Sequence, residues 1–103
     1  MVVRMKGIDF IMRENPTVEL PFDGTVQFTR MRVGNTTYKI FVPDADVSKE
    51  ELLLPYFAPM DFVGLSAVET RREKDGLTLM VHVERNAHMH VTRSKTGLRL
   101  SIS

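Results

Sequence analysis

Turn signals interrupt this chain so often that no long element fits between them. Asn15-Pro16, Asp23-Gly24, Gly34-Asn35, Pro43-Asp44, Asp75-Gly76, Arg85-Asn86 and Lys95-Thr96-Gly97 punctuate it. The stretches between them alternate apolar and polar residues and are rich in Val, Ile, Phe, Thr and Tyr, the pattern of short antiparallel strands. The alternation predicts strands over 6–14, 17–22, 26–33, 37–42, 62–73, 77–83, 87–93 and 98–102. The linking stretch from Pro43 to Pro59 differs. There Ser48 and Glu51 have capping-box spacing ahead of Leu52-Leu53-Leu54, which predicts one short helical turn near 48–54, ended by Pro55.

The pattern also repeats. A shift of 61 carries Val18, Leu20 and Phe22 onto Leu79, Val81 and Val83, and a shift of 60 carries Tyr38, Ile40 and Val42 onto Leu98, Leu100 and Ile102. A shift of 57 sets Gly7-Ile8 on Gly64-Leu65. The expectation is an all-β fold, a β-sandwich of two related four-stranded antiparallel halves at about 6–43 and 61–103 within one domain, 1–103. Each half needs the other to cover its apolar face. In register, three-residue loops at Asp23-Gly24-Thr25 and Glu84-Arg85-Asn86 would set Phe22 against Val26 and Val83 against Ala87. The expected core runs through Ile8, Phe10, Val18, Leu20, Phe22, Val26, Phe28, Tyr38, Ile40, Val42, Val63, Leu65, Leu79, Val81, Val83, Met89, Val91, Leu98, Leu100 and Ile102.

Several function classes fall away on composition. Fourteen Lys and Arg against 13 Asp and Glu give a net charge of +1 over 103 residues, without the basic excess of a binder that works by displacing counterions from nucleic acid. No Cys is present, which removes disulfides, thiolate zinc sites and thiol nucleophiles. No apolar run approaches the roughly 20 residues that span a bilayer. Met1 to Lys6 has no signal-peptide core, so the chain is either cytoplasmic or a segment of a larger exported protein. Dinucleotide, phosphate-loop, His-Glu-x-x-His and nucleophile-elbow motifs are missing, and the expected role is not enzymatic.

Three groups of side chains remain as candidates. The predicted hairpin places His82 opposite His88, with His90 two residues further on, so the three imidazoles could converge on a metal ion. No acid is expected on that face to orient them, and three imidazoles that simply solvate the sheet is the plainer alternative. Arg30 and Arg32, with Arg71, Arg72 and Lys74, form basic strand ends. Phe41, outward between Lys39 and Pro43, is a large apolar residue on an exterior face, the mark of a covered or partner-binding surface.

The two halves resemble the AMIN domain, a periplasmic β-sandwich module of cell-wall amidases and of the amino-terminal region of type IV pilus secretins. Gly7-Ile8-Asp9-Phe10-Ile11-Met12-Arg13 resembles the opening strand and Val18-Glu19-Leu20 the second. Gly34 with Tyr38-Lys39-Ile40-Phe41-Val42-Pro43-Asp44-Ala45 resembles the closing strand. Leu52-Leu53-Leu54 and Asp61-Phe62-Val63 resemble the family's leucine-rich link and its Asp-Phe. Gly76-Leu77-Thr78-Leu79-Met80-Val81 and Gly97-Leu98-Arg99-Leu100-Ser101-Ile102 resemble its later strands. The chain departs from the family where Arg in the second strand and an Arg…Asp pair in the closing strand are usual: Thr17 and Thr78, Tyr38 and Phe41, and Leu98 and Ser101 stand there, with Arg99 nearby.

The resemblance implies a non-catalytic, cofactor-free module in the periplasm. It would anchor a larger secretin- or amidase-like protein to peptidoglycan, among other envelope and secretion proteins, with no nucleic-acid partner and no membrane insertion. Its ligand residues are expected among outward positions: Lys39, Phe41, His82, His88, His90 and Arg99, beside Thr29, Met31 and Thr78. A histidine metal-binding domain and a protein–protein module in a pilus or secretion assembly are the alternatives.

Overall fold

The computed structural model describes residues 2–103. It is all-β, with strands β1 (Val3–Met5), β2 (Asp9–Met12), β3 (Pro16–Pro21), β4 (Thr29–Val33), β5 (Thr37–Pro43) and β6 (Ala45–Val47). A single 3-10 turn over Glu50–Leu53 precedes β7 (Tyr56–Phe57), β8 (Leu65–Glu73), β9 (Gly76–Val83), β10 (Met89–Ser94) and β11 (Gly97–Ile102). They assemble into a four-stranded sheet in the order β10-β11-β3-β2, a five-stranded sheet in the order β4-β5-β9-β8-β7, and a β1-β6 pair. Only β1 and β6 run parallel. No helix among the described residues is long and apolar enough to cross a membrane.

The two halves are therefore not two sheets. Each sends one hairpin to each sheet: β2-β3 and β10-β11 share the smaller sheet, β4-β5 and β8-β9 the larger. The repeat survives in the register. Leu98 faces Leu20 and Leu100 faces Val18 in one sheet, as Tyr38 faces Val81 and Ile40 faces Leu79 in the other. At the head of the halves the correspondence is a shift of 60 rather than 57, since Phe10 faces Val18 where Thr70 faces Leu79.

Both expected three-residue hairpins are overturned by this arrangement. Phe22 does not face Val26. Its N–H donates to the Thr96 carbonyl at 2.6 Å, and it bridges Met5. Asp23 is held to the first strand instead, its N–H donating to the Arg4 carbonyl and its carboxylate accepting from the Arg4 N–H at 2.7 Å. The second loop likewise carries the chain from the larger sheet to the smaller, with Asn86 at φ 72. Alternation reports which side chains face the core, and a strand that jumps to the facing sheet keeps the same alternation as one that folds back.

One hydrophobic cluster draws on both sheets, from Val18, Leu20, Leu98 and Leu100 to Tyr38, Ile40, Leu79 and Val81. Val63, expected inside, is 76% exposed, and Phe62 is buried in its place. Phe62 meets Phe10 edge to face, with ring centroids 5.9 Å apart, a favoured aromatic geometry. The linking stretch adds more core than expected: Ala45, Val47 and Leu52 are buried, as is Met5 at the end of β1. The helical turn starts after Lys49 with no side-chain cap, and the Ser48 N–H goes to the Met5 carbonyl, so the Ser48–Glu51 capping box does not form.

Candidate functional site: two sheet faces

Strand alternation gives each sheet a face turned away from the core. On the larger sheet the outward residues line up in rows across the strands. Thr29, Phe41, Thr78 and Arg71 make one row; Met31, Lys39, Met80 and Glu69 the next; Val33, Thr37, His82, Ala67 and Phe57 the third. Much of this face is apolar: Met31 is 62% and Phe57 77% exposed, and Phe41 and Met80 are half-buried. Thr78, expected on the open face, is buried, because Phe41 and Arg71 flank it on both neighbouring strands.

A hollow of about 440 Å³ opens on this face, with Thr29, Met31, Lys39, Phe41 and Thr78 as its floor and Glu73, Lys74 and Asp75 from the β8–β9 turn as its rim. A floor that mixes the apolar Met31 and Phe41 with hydroxyls and a lysine, with charged groups at one margin, suits a small polar ligand with an apolar face. Two of the expected ligand residues, Lys39 and Phe41, meet here.

His82 stands in the third row. Its Nδ1 lies 3.2 Å from Thr37 Oγ1 and its Nε2 3.1 Å from Glu69 Oε1. An acid does stand on that face, where none was expected, because β8 rather than β10 is the neighbour of β9 on that side. The three-histidine convergence fails for the same reason. His82 faces Thr37 and Ala67, whereas His88 and Ser103 exchange two backbone hydrogen bonds of 2.8 Å beside the smaller sheet, and His90 faces Ser101 there. Among the described residues no three His, Asp or Glu side chains are placed to hold a metal ion.

The outward face of the smaller sheet collects the remaining expected residues. One row holds His90, Ser101, Thr17 and Ile11, the next Thr92, Arg99, Glu19 and Asp9. Arg99 occupies the position that Lys39 holds in the larger sheet, facing Glu19 where Lys39 faces Met80. The difference matters electrostatically. Arg99 Nε donates to Glu19 Oε1 at 2.7 Å and Arg13 Nη2 to the same oxygen at 3.3 Å, so Arg99 is already engaged, while no acid faces Lys39 across either neighbouring strand. A hollow of about 630 Å³ beside Arg13, Glu19, Lys95 and Arg99 marks this second face.

Three of the five basic strand-end residues are held in structural bonds. Arg30 Nη1 donates to the Met89 carbonyl at 2.7 Å, tying the edge strand β4 to the start of β10. Arg32 donates to the Tyr38 hydroxyl and to the Gly34 and Asn35 carbonyls. Arg72 bridges β8 to the linking stretch, with Nε 2.9 Å from Asp46 Oδ1 and Nη2 2.7 Å from Glu50 Oε2. The Arg72 hydrogen bond, helped by the Val47 N–H, holds the Asp46 carboxyl below its ordinary range; Glu50 is lowered by Arg72 as well, and the guanidinium is raised in return. Such shifts accompany ion pairing and do not by themselves mark a catalytic group.

No family model matches the chain, and neither the curated proteins nor the solved structures contain a match.

Proposed function

We propose that this chain is a non-catalytic β-sandwich module of related halves, similar to the AMIN domain. It holds a larger, secretin- or amidase-like envelope protein against peptidoglycan in the periplasm, among other envelope and secretion proteins. The observation that carries the reading is the hollow over Phe41 and Lys39, with the charged turn Glu73-Lys74-Asp75 at its rim. A sugar ring rests its C–H face on apolar or aromatic surface, and its hydroxyl, acetamido and carboxylate groups need donors and acceptors around it. The hollow offers both. It is also shallow, so one copy binds weakly, and a parent presenting several copies to one polymer gains by effective concentration.

Of the six ligand residues, Lys39, Phe41 and His82 share this larger face, and the proposal gives them the principal contact. His88, His90 and Arg99 belong to the other side and are secondary. Cosedimentation of the chain with purified cell-wall sacculi tests the reading. The wild-type chain is expected in the pellet, and Phe41→Ala and Lys39→Ala each to reduce it with little change in stability. A wild-type chain that stays in the supernatant would sink the proposal.

A further inference from the structure

Among the described residues, His82 is the only histidine whose ring reaches other side chains on both neighbouring strands, Thr37 on β5 and Glu69 on β8. The chemistry of those partners restricts it. An ionised carboxylate only accepts hydrogen bonds, so the ring nitrogen facing Glu69 carries the proton. In neutral imidazole the other nitrogen is then an acceptor, and only a hydroxyl that turns its hydrogen inward can satisfy it. Thr37 is such a group. In the neutral ring these two partners select the Nε2–H tautomer, which donates to Glu69 and accepts from Thr37.

We propose that Glu69 and Thr37 are positioning residues that withdraw both nitrogens of His82 from solvent, so that the third of this side chain left exposed meets a ligand as ring carbon. The ligand class is a ring with a C–H face, and the platform extends from His82 over Met80 and Ala67 toward Phe57 and Val33. The Nδ1 lone pair that a cation would need is engaged by Thr37, so a metal ion would have to displace that hydrogen bond. The ligand class rests on the sugar-binding reading above; the fixed tautomer does not.

Two measurements test the inference. Long-range ¹H–¹⁵N correlation on the wild-type chain at about pH 8 should show the Nε2–H tautomer for His82. Glu69→Gln, whose amide oxygen still accepts, should keep that tautomer, and Glu69→Ala should release a mixture. A wild-type spectrum with the proton on Nδ1, or averaged over both nitrogens, overturns the proposal, as does a His82 signal that moves when zinc is added.

In sacculus cosedimentation, His82→Phe keeps the ring carbon and should bind within about twofold of wild type. His82→Asn keeps polarity without a ring and should lose about fivefold, the size of one stacking contact. The reverse order overturns the platform. A wild-type chain that never pellets overturns the peptidoglycan reading alone, and the tautomer still decides the positioning of His82.

Discussion

Arg32 lies over the ring of Tyr38, its guanidinium carbon 4.9 Å from the centroid, and donates to the phenol oxygen at 2.8 Å. Tyr38 is almost wholly buried, so a charged residue closes the end of the core. The placement also protects an edge. β4 is the outermost strand of its sheet, and a charged side chain turned toward the core from an edge strand discourages further strand addition. Arg32→Ala should therefore cost about 1–2 kcal/mol in urea denaturation, the combined size of a cation–π contact and a charged hydrogen bond. It should also increase self-association at high concentration, measured by light scattering. Arg32→Lys keeps the charge but cannot fork to Gly34, Asn35 and Tyr38 together, and should recover less than half of the loss.

The Asp46–Arg72 pair predicts an acid-dependent stability. Asp46 is lowered on folding, mainly by its Arg72 hydrogen bond. A group with a depressed folded value contributes stability that is fully present above its unfolded value, near 4, and is lost as pH falls through the folded one. Asp46→Asn should thus melt below wild type at neutral pH, and the gap should close as the pH falls through the lowered folded value. Salt at 1 M should narrow it at pH 7, since the pair is solvent-exposed. A gap that widens in acid would refute the assignment.

Thr70 is buried, and its hydroxyl is the buried side-chain polar atom left without a hydrogen-bond partner among the described residues. Val has nearly the same shape and no polar atom to desolvate. Thr70→Val should stabilise the chain by about 1 kcal/mol, raising the urea midpoint at unchanged slope. A loss of stability would show that the hydroxyl is satisfied in solution.

Two glycines with positive φ should respond differently to Ala. Gly97, at φ +152, would press a Cβ into the Leu20 carbonyl of the neighbouring strand, whereas Gly34, at φ +72, has open space around it. Gly34→Ala should cost about 1–2 kcal/mol, the penalty of the left-handed region. Gly97→Ala adds a backbone clash between central strands and should cost clearly more, about 3 kcal/mol or above. Equal melting midpoints for the two variants would contradict the close approach of β11 to β3.

The sequence made eight of the eleven described strands and most of the inward faces readable, but not the short β1, β6 and β7, because alternation is a local property that needs several residues to show and both sheets cover one core. Val18, Leu20, Ile40, Leu79, Val81 and Leu100 fall where the period of two puts them. Partnership between strands was not readable. Phe22 and Val26 fit a hairpin as well as a crossover, so the pairing of β3 with β11, and with it the separation of His82 from His88, had no local signature. For the candidate site, Phe41 and Lys39 stood out as outward residues. Glu69 could not be connected to His82 without knowing that β8 lies beside β9. The packing of Phe62 in place of Val63 was equally hidden, since the Gly64 turn shifts the face by one residue.

Because β3 from the first half and β11 from the second lie side by side at the centre of one sheet, and β5 beside β9 at the centre of the other, neither half carries a finished layer. During synthesis the first forty-odd residues (β1 to β5) can form hairpins but no closed core, and the smaller sheet waits for the segment from Gly97 onward. Contacts this distant along the chain slow folding, since loop entropy is lost before they form. The chain should then acquire its structure in one late, concerted step, and a ribosome stalled before β11 should display a protease-sensitive nascent chain.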